Sequence, residues 1–186
     1  MTSISFKQAK GKRVLILGDV GTGKTSLTQR LLREALEEGA TGITVIDMAP
    51  GKIVVNDAPI GGYLLDKPDS RVRYLAPKDV KAPRLTAKNP EELIELAEKN
   101  RIEIESLLDT FSRNPGNILF VNDASIYLQR GNLNTLWAAL LKAKTLVINS
   151  YLGERLKSDQ GTGISAREKD LVLELVSKMD VVIKLE

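Results

Sequence analysis

The stretch "RVLILGDVGTGKTSLTQRLL", residues 13 to 32, sets an apolar run, a glycine-rich turn and a helix-patterned segment back to back. An unbroken apolar run predicts a strand buried on both faces, and Leu27, Leu31, Leu32 and Ala35 recur at helical spacing behind it. The same grammar repeats along the chain. Short β-branched runs stand at 42–47, 117–123, 145–150 and 180–185, separated by helical patterns over 24–38, 91–112, 132–143 and 165–179. Strand and helix in alternation predict an α/β fold of three layers, with a mostly parallel sheet of five to six strands and helices on both faces. At 186 residues the chain fits one domain. No internal repeat and no low-complexity tract is read along it.

The turn itself, Gly18-Asp19-Val20-Gly21-Thr22-Gly23-Lys24-Thr25, satisfies G-x-x-x-x-G-K-[ST] in full and stands in the strand-to-helix context that the pattern requires. Glycines at these positions let successive backbone N–H groups turn inward and approach phosphate oxygens, while the helix beginning at Lys24 aims its partial positive end at them. Gly18 to Ser26 are therefore the candidate nucleotide-binding residues. Lys24 is expected to reach the β- and γ-phosphates, and the Thr25 hydroxyl to ligate Mg²⁺ with Ser26 beside it. Thr22 sits at the solvent edge of the loop with no assigned role. The motif predicts a P-loop NTPase fold.

Such a site needs a carboxylate on the metal side, and two strands end in one. Asp47 closes "TGITVID" and Asp123 closes "NILFVND", so both are candidates for the catalytic and metal-side position. Asn122 and Asp123 are expected near the γ-phosphate at the carboxyl edge of the sheet. A guanine-binding N-K-x-D is not found where Asn149 stands in "TLVINSYL". ATP is favoured as the nucleotide, with GTP the other choice.

"GDVGTGKTSL" followed by "VIDMAPG" resembles the P-loop class that contains MinD-type ATPases, dethiobiotin synthetase and the Clp1 and Nol9/Grc3 polynucleotide kinases. In that class the second strand ends in a D-x-D-x-G type motif. Here Ala49 takes the second acidic place, so Asp47 alone is carried over. The polynucleotide kinases are most similar in outline, with Asp-x-x-Pro-Gly, a strand ending in proline ("RVRYLAP") and a long helix. Their T-x-G-W type clasp is replaced by "VNDASIYL". The resemblance implies phosphate transfer to a nucleic-acid 5′-hydroxyl or another anionic acceptor. Its MinD-like branch implies the alternative, a switch ATPase or GTPase that acts through a protein partner or as a homodimer across the nucleotide.

Composition narrows the chemistry. With no Cys and no His, disulfides, thiolate nucleophiles, imidazole bases and the usual zinc ligands are excluded. The net charge of +3 is small, yet its distribution is uneven. Between residues 48 and 90, Lys52, Lys67, Arg71, Arg73, Lys78, Lys81, Arg84 and Lys88 outnumber Asp57, Asp66, Asp69 and Asp79. Six of the seven prolines fall in the same piece, which rules out a continuous helix. A stretch this long is expected to be a lid or a substrate loop, with Arg71, Arg73, Lys78 and Arg84 guiding an anionic substrate. A hairpin around "NDAPIGG" and a sixth strand at "RVRYLA" are expected within it. "YLGERLKSDQGTGIS" (151–165) reads as a second glycine-containing loop on the same side of the sheet, and Ser165 with Glu168 as a capping box opening the last helix. No apolar stretch reaches the ~18 residues of a membrane span and no signal-peptide core precedes the first strand, so a cytoplasmic, membrane-free protein is expected.

Overall fold

The computed structural model describes residues 4–55, 58–65, 67, 69–156 and 158–186. Its centre is a six-stranded sheet in which every pairing is parallel. In chain order the strands are β1 (Arg13–Gly18), β2 (Ile43–Asp47), β5 (Val72–Leu75), β6 (Ile118–Asn122), β7 (Thr145–Tyr151) and β8 (Val181–Leu185). They lie side by side as β5-β2-β6-β7-β1-β8. "RVRYLA" thus supplies the sixth strand, at the edge. A separate two-stranded hairpin, β3 (Ile53–Val55) with β4 (Ala58–Ile60), branches off after β2. The turn expected between them, Asn56 and Asp57, lies outside the described residues.

Alternation along each strand sorts the core into two sides. Val14 and Ile16 of β1 face a layer built on α1 (Phe6–Ala9) and α2 (Lys24–Glu37), where Phe6, Leu31, Leu32 and Ala35 are buried. Leu15 and Leu17 face the opposite layer, formed by α4 (Pro90–Arg113), α5 (Ala124–Leu128), α6 (Leu133–Leu140) and α7 (Ile164–Val176). A short helix, α3 (Pro83–Thr86), packs on α4. Strands covered on both faces need apolar residues at every position, which is why they read as runs rather than alternations. The α/β three-layer expectation is borne out.

The longest helix follows its sequence signals. Asn89 caps it by accepting the Glu92 N–H at 2.8 Å, Pro90 occupies the first turn where no donor is missed, and Leu93, Ala97, Ile104, Leu108 and Phe111 form the buried stripe. α7 does not follow them. Its cap is Gly163 at φ 78°, without a side-chain cap, and no Ser165–Glu168 box forms. The Glu168 side chain instead turns into the protein, because a buried arginine competes for it more strongly than an exposed helix end does.

A local repeat also emerges that was not expected. Asp19-Val20-Gly21-Thr22-Gly23 and Asp159-Gln160-Gly161-Thr162-Gly163 are the same five-residue pattern, each leading into a helix. Among the described residues no helix is long and apolar enough to cross a membrane.

Candidate functional site

Parallel strands bring all their carboxyl ends to one edge, and a cleft of about 240 Å³ opens there. One wall is the turn after β1 with the first residues of α2: Val20, Gly21, Gly23, Lys24, Thr25 and Ser26. Gly23 holds φ 89°, a left-handed conformation in which a side chain would be strained, and so starts the helix with its amides facing the cleft. Gly18, Asp19 and Thr22 stand behind this wall. The Asp19 carbonyl accepts from Lys24 Nζ at 2.6 Å and from the Thr22 hydroxyl at 2.9 Å, which folds the loop onto itself. The Asp19 carboxylate accepts from the backbone N–H groups of Val20, Glu154 and Arg155, tying the loop to the segment after β7.

Lys24 is mostly withdrawn from water, and burial pulls its pKa below the ordinary lysine value, against the opposing charges of Asp123 and Asp19. Its ammonium also lies 5.9 Å from the Tyr151 ring centre. A desolvated cation facing a cleft is poised for an anion, since the penalty of burial is relieved when negative charge arrives.

The opposite wall carries Asn122, Asp123, Asn149 and Tyr151, with Ala49, Gly61 and Gly62 closing the side. The two candidate carboxylates have different fates. Asp123 lines the cleft, in a left-handed backbone conformation at φ 57°, with its N–H given to Asn149 Oδ1 at 2.8 Å and its Oδ1 accepting the Ser125 hydroxyl. Asp47 is fully buried and does not line it. Asn122 Nδ2 donates to Asp47 Oδ1 at 2.8 Å, while the Leu64 N–H at 2.7 Å and the Tyr74 hydroxyl at 2.8 Å hold Oδ2. Burial raises its pKa, and these donors together with the Ala49 N–H oppose the rise. Asp47, expected on the metal side, thus lies outside the cleft lining, with its oxygens engaged by Asn122, the Leu64 N–H and the Tyr74 hydroxyl.

Behind the cleft runs a buried amide chain. Asn149 Nδ2 donates to Thr28 Oγ1 and to Asn122 Oδ1, both at 2.9 Å, and Asn122 Nδ2 donates also to Gly62 O. Three strands and α2 are thereby held in register around Lys24. In the sequence these asparagines stand at the ends of apolar runs, and that misplaced polarity is the signal that could have found their structural part.

The four cations expected on the substrate side do not converge. Arg71 forms a two-pronged pair with its near neighbour Asp69, and Arg73 donates to the Thr110 and Asn114 carbonyls at the far end of α4. Both lie where α4 ends and β6 begins, toward the amino edge of the sheet, because β5 is parallel to its neighbours and they sit at its start. The backbone of Lys78 is held by Glu103 of α4. Arg84 is buried against Tyr151, a residue of the cleft wall, with its guanidinium 5.3 Å from the ring centre. It donates to Ser165 and, through Nη2, to both Glu168 oxygens at 2.9 and 3.0 Å. Glu168 also accepts from Gln129 Nε2 at 2.9 Å, yet burial wins over these partners and pushes its pKa up to about 7. Sequence reasoning missed Gln129 and Tyr151 and gave Glu168 only a cap, since none of them belongs to a local pattern.

Among the described residues no group of three or more acidic side chains gathers to hold a metal. Thr25 and Asp123 offer one hydroxyl and one carboxylate across the cleft. That set fits Mg²⁺, which keeps several waters and takes its remaining ligands from substrate phosphates, and it does not fit a cation caged by protein alone.

No protein-family model matches the chain, and no curated protein matches it. Among solved structures, a prototypical ATPase from the type III secretion system of pathogenic bacteria aligns with 95% of this chain and 51% of its own, at 14% identity and a TM-score of 0.49. The chain thus spans about half the length of that ATPase. The parallel sheet, the glycine turn after β1 and the helix that begins at its lysine are consistent with a P-loop NTPase fold.

Proposed function

We propose that the protein is a Mg²⁺-dependent nucleoside triphosphatase, with ATP as the favoured nucleotide and GTP the alternative. The observation that carries this reading is the pairing across one cleft of a desolvated Lys24, at the start of a glycine-led helix, with the carboxylate of Asp123. Backbone N–H groups of the 20–25 turn take the β-phosphate, and Lys24 spans the β- and γ-phosphates. Thr25 and Asp123 would hold the metal. Bound Mg²⁺ would neutralise charge on the phosphates as the terminal bond breaks. Phosphoryl transfer asks mainly for positioning and charge, which these residue types supply without His or Cys.

Transfer to a nucleic-acid end loses the support it had, because Arg71 and Arg73 point their charges at Asp69 and at α4 rather than into the cleft. A switch acting through a partner would share the same nucleotide chemistry and differ in what stimulates it.

Purified protein with Mg-ATP or Mg-GTP should bind nucleotide and release inorganic phosphate, with no phosphate passed to a 5′-hydroxyl oligonucleotide. Asp123→Asn should lower turnover by about 100-fold with the fold intact, in line with loss of one transition-state electrostatic contact. Nucleotide binding that survives Lys24→Ala and Asp123→Asn together would sink the reading. Labelled oligonucleotide would restore the kinase.

A further inference from the structure

At the edge of the sheet opposite the cleft, β1, β7 and β8 begin side by side, and cations gather there. Lys12 and Arg13 stand at the start of β1, Lys142 and Lys144 in the turn between α6 and β7, and Lys178 in the turn between α7 and β8. Lys10 and Lys144 line one open hollow of about 470 Å³ at this edge, with Glu38 on its rim. The acids do not cancel the charge. Asp180 spends both oxygens on Arg13, at 2.6 and 3.0 Å, and Glu174 stands 3.8 Å from Lys178. Lys10, Lys12, Lys142 and Lys144 are exposed and make no ion pair among the described residues.

Apolar side chains stand among these lysines. Leu141, at the end of α6, is 52% exposed, and its N–H donates to the Trp137 carbonyl, which sets the two side chains one turn apart on the same face. The Trp137 indole is half-buried, with its ring centre 5.7 Å from the Arg13 guanidinium and 5.7 Å from the Lys178 ammonium. Its ring N–H has no hydrogen-bond partner among the described residues. A protruding leucine beside an indole with a free donor, ringed by lysines, suits a boundary where apolar chains meet phosphates. A nucleic-acid backbone would use the lysines and leave Leu141 idle, since a row of phosphates offers it no apolar surface.

We propose that this edge rests on an anionic lipid bilayer, with Leu141 and the Trp137 indole at the headgroup boundary and Lys10, Lys12, Lys142 and Lys144 on the lipid phosphates. Attachment of this kind needs no membrane span, only charge and a shallow apolar contact. One leucine and a few lysines make it reversible and sensitive to salt. The cleft lies at the other ends of the strands and faces away from the lipid.

Sedimentation of the full chain with sucrose-loaded vesicles tests this without nucleotide. Vesicles of phosphatidylcholine with a third phosphatidylserine should carry the protein down at low salt, and vesicles of phosphatidylcholine alone should not. A lysine near such a surface is worth about fivefold in partitioning, so Lys142→Ala with Lys144→Ala should lower it about 25-fold. Leu141→Ala should lower it at least fivefold at unchanged charge. These side chains are exposed, so the melting temperatures of the variants should match wild type. Wild-type protein that stays in solution with the phosphatidylserine vesicles overturns the proposal, and so does equal partitioning onto phosphatidylcholine alone. A Leu141→Ala variant that sediments like wild type overturns it as well. Binding of a labelled nucleic-acid duplex that depends on Lys142 and Lys144 but not on Leu141, with no vesicle binding, would make this edge a nucleic-acid surface instead.

Discussion

The turn at Asp19–Gly23 and the turn at Asp159–Gly163 are built alike. Both run Asp-x-Gly-Thr-Gly, with glycine φ values of 79° and 89° in the first and 80° and 78° in the second. In both the threonine hydroxyl donates to the aspartate carbonyl, at 2.9 and 2.8 Å, and in both a helix starts at the next residue. What separates them is the direction of one carboxylate. Asp159 folds over its own helix start, where Oδ1 accepts from the Gly161 N–H and Oδ2 from the Ser165 N–H. Asp19 turns outward to Val20, Glu154 and Arg155, leaving the start of its helix clear. The second difference is Lys24 against Ile164. A glycine turn before a helix is thus a general cradle for negative charge, and whether the protein fills it or offers it to a ligand depends on side chains that the glycine pattern does not contain.

The comparison breaks first at the lysine. Lys24→Ala should cut nucleotide turnover by about 1,000-fold, as expected when the cation on the transferring phosphoryl group is lost. Ile164→Lys in the same background should restore none of it, because Asp159 already occupies the second cradle. Phosphate release assays on the single and double variants decide, and activity regained in the double variant would make the two loops equivalent.

Glu168 lies in the first turns of the helix that the second loop opens, and its burial shows what that helix serves. Its unfolded pKa is near 4.5 and its folded one near 7, so between those values the folded state keeps a proton that the unfolded chain has released. Stability should therefore fall as pH rises through that window, by about 3 kcal/mol in total for a shift of this size. Denaturant midpoints from pH 4 to 8 should show the decline in wild type and lose it in Glu168→Gln. An unchanged slope in the variant would place the titration elsewhere.

The aspartates at the carboxyl ends of β2 and β6 give a related contrast. Asp47→Asn places an amide where the Leu64 N–H and the Tyr74 hydroxyl both donate, at a cost of about 2 kcal/mol, and should lower the melting temperature. Asp123→Asn should leave that temperature nearly unchanged while turnover falls. The reverse pattern would return the metal-side position to Asp47. The smallest effect is expected at Asp159→Ala, about 1 kcal/mol of stability from a lost helix-start partner, with turnover within twofold of wild type.

Much of the fold could be read from local order. Buried parallel strands announce themselves as apolar runs, the 90–113 helix as a cap, a proline and a stripe, and the 18–25 loop as spaced glycines before a lysine. Arg84 shares a basic, proline-rich stretch with Arg71 and Arg73. The chain folds that stretch across the sheet, so neighbours in sequence end at opposite edges. Asp47 and Asp123 looked equivalent as polar ends of buried strands. Their difference lies in what comes over them: Leu64 and Tyr74 hold the first, and the cleft exposes the second.

The sequence by itself determined the layered α/β architecture and the glycine turn before α2, because each depends on residues close together in the chain, and its composition excluded thiol and imidazole chemistry. Which carboxylate faces Lys24, which cation packs on Tyr151 and how Trp137 comes to meet Arg13 and Lys178 were decided only by the tertiary structure. These are matters of contact between residues tens of positions apart, settled by competition for buried hydrogen bonds that no local pattern records.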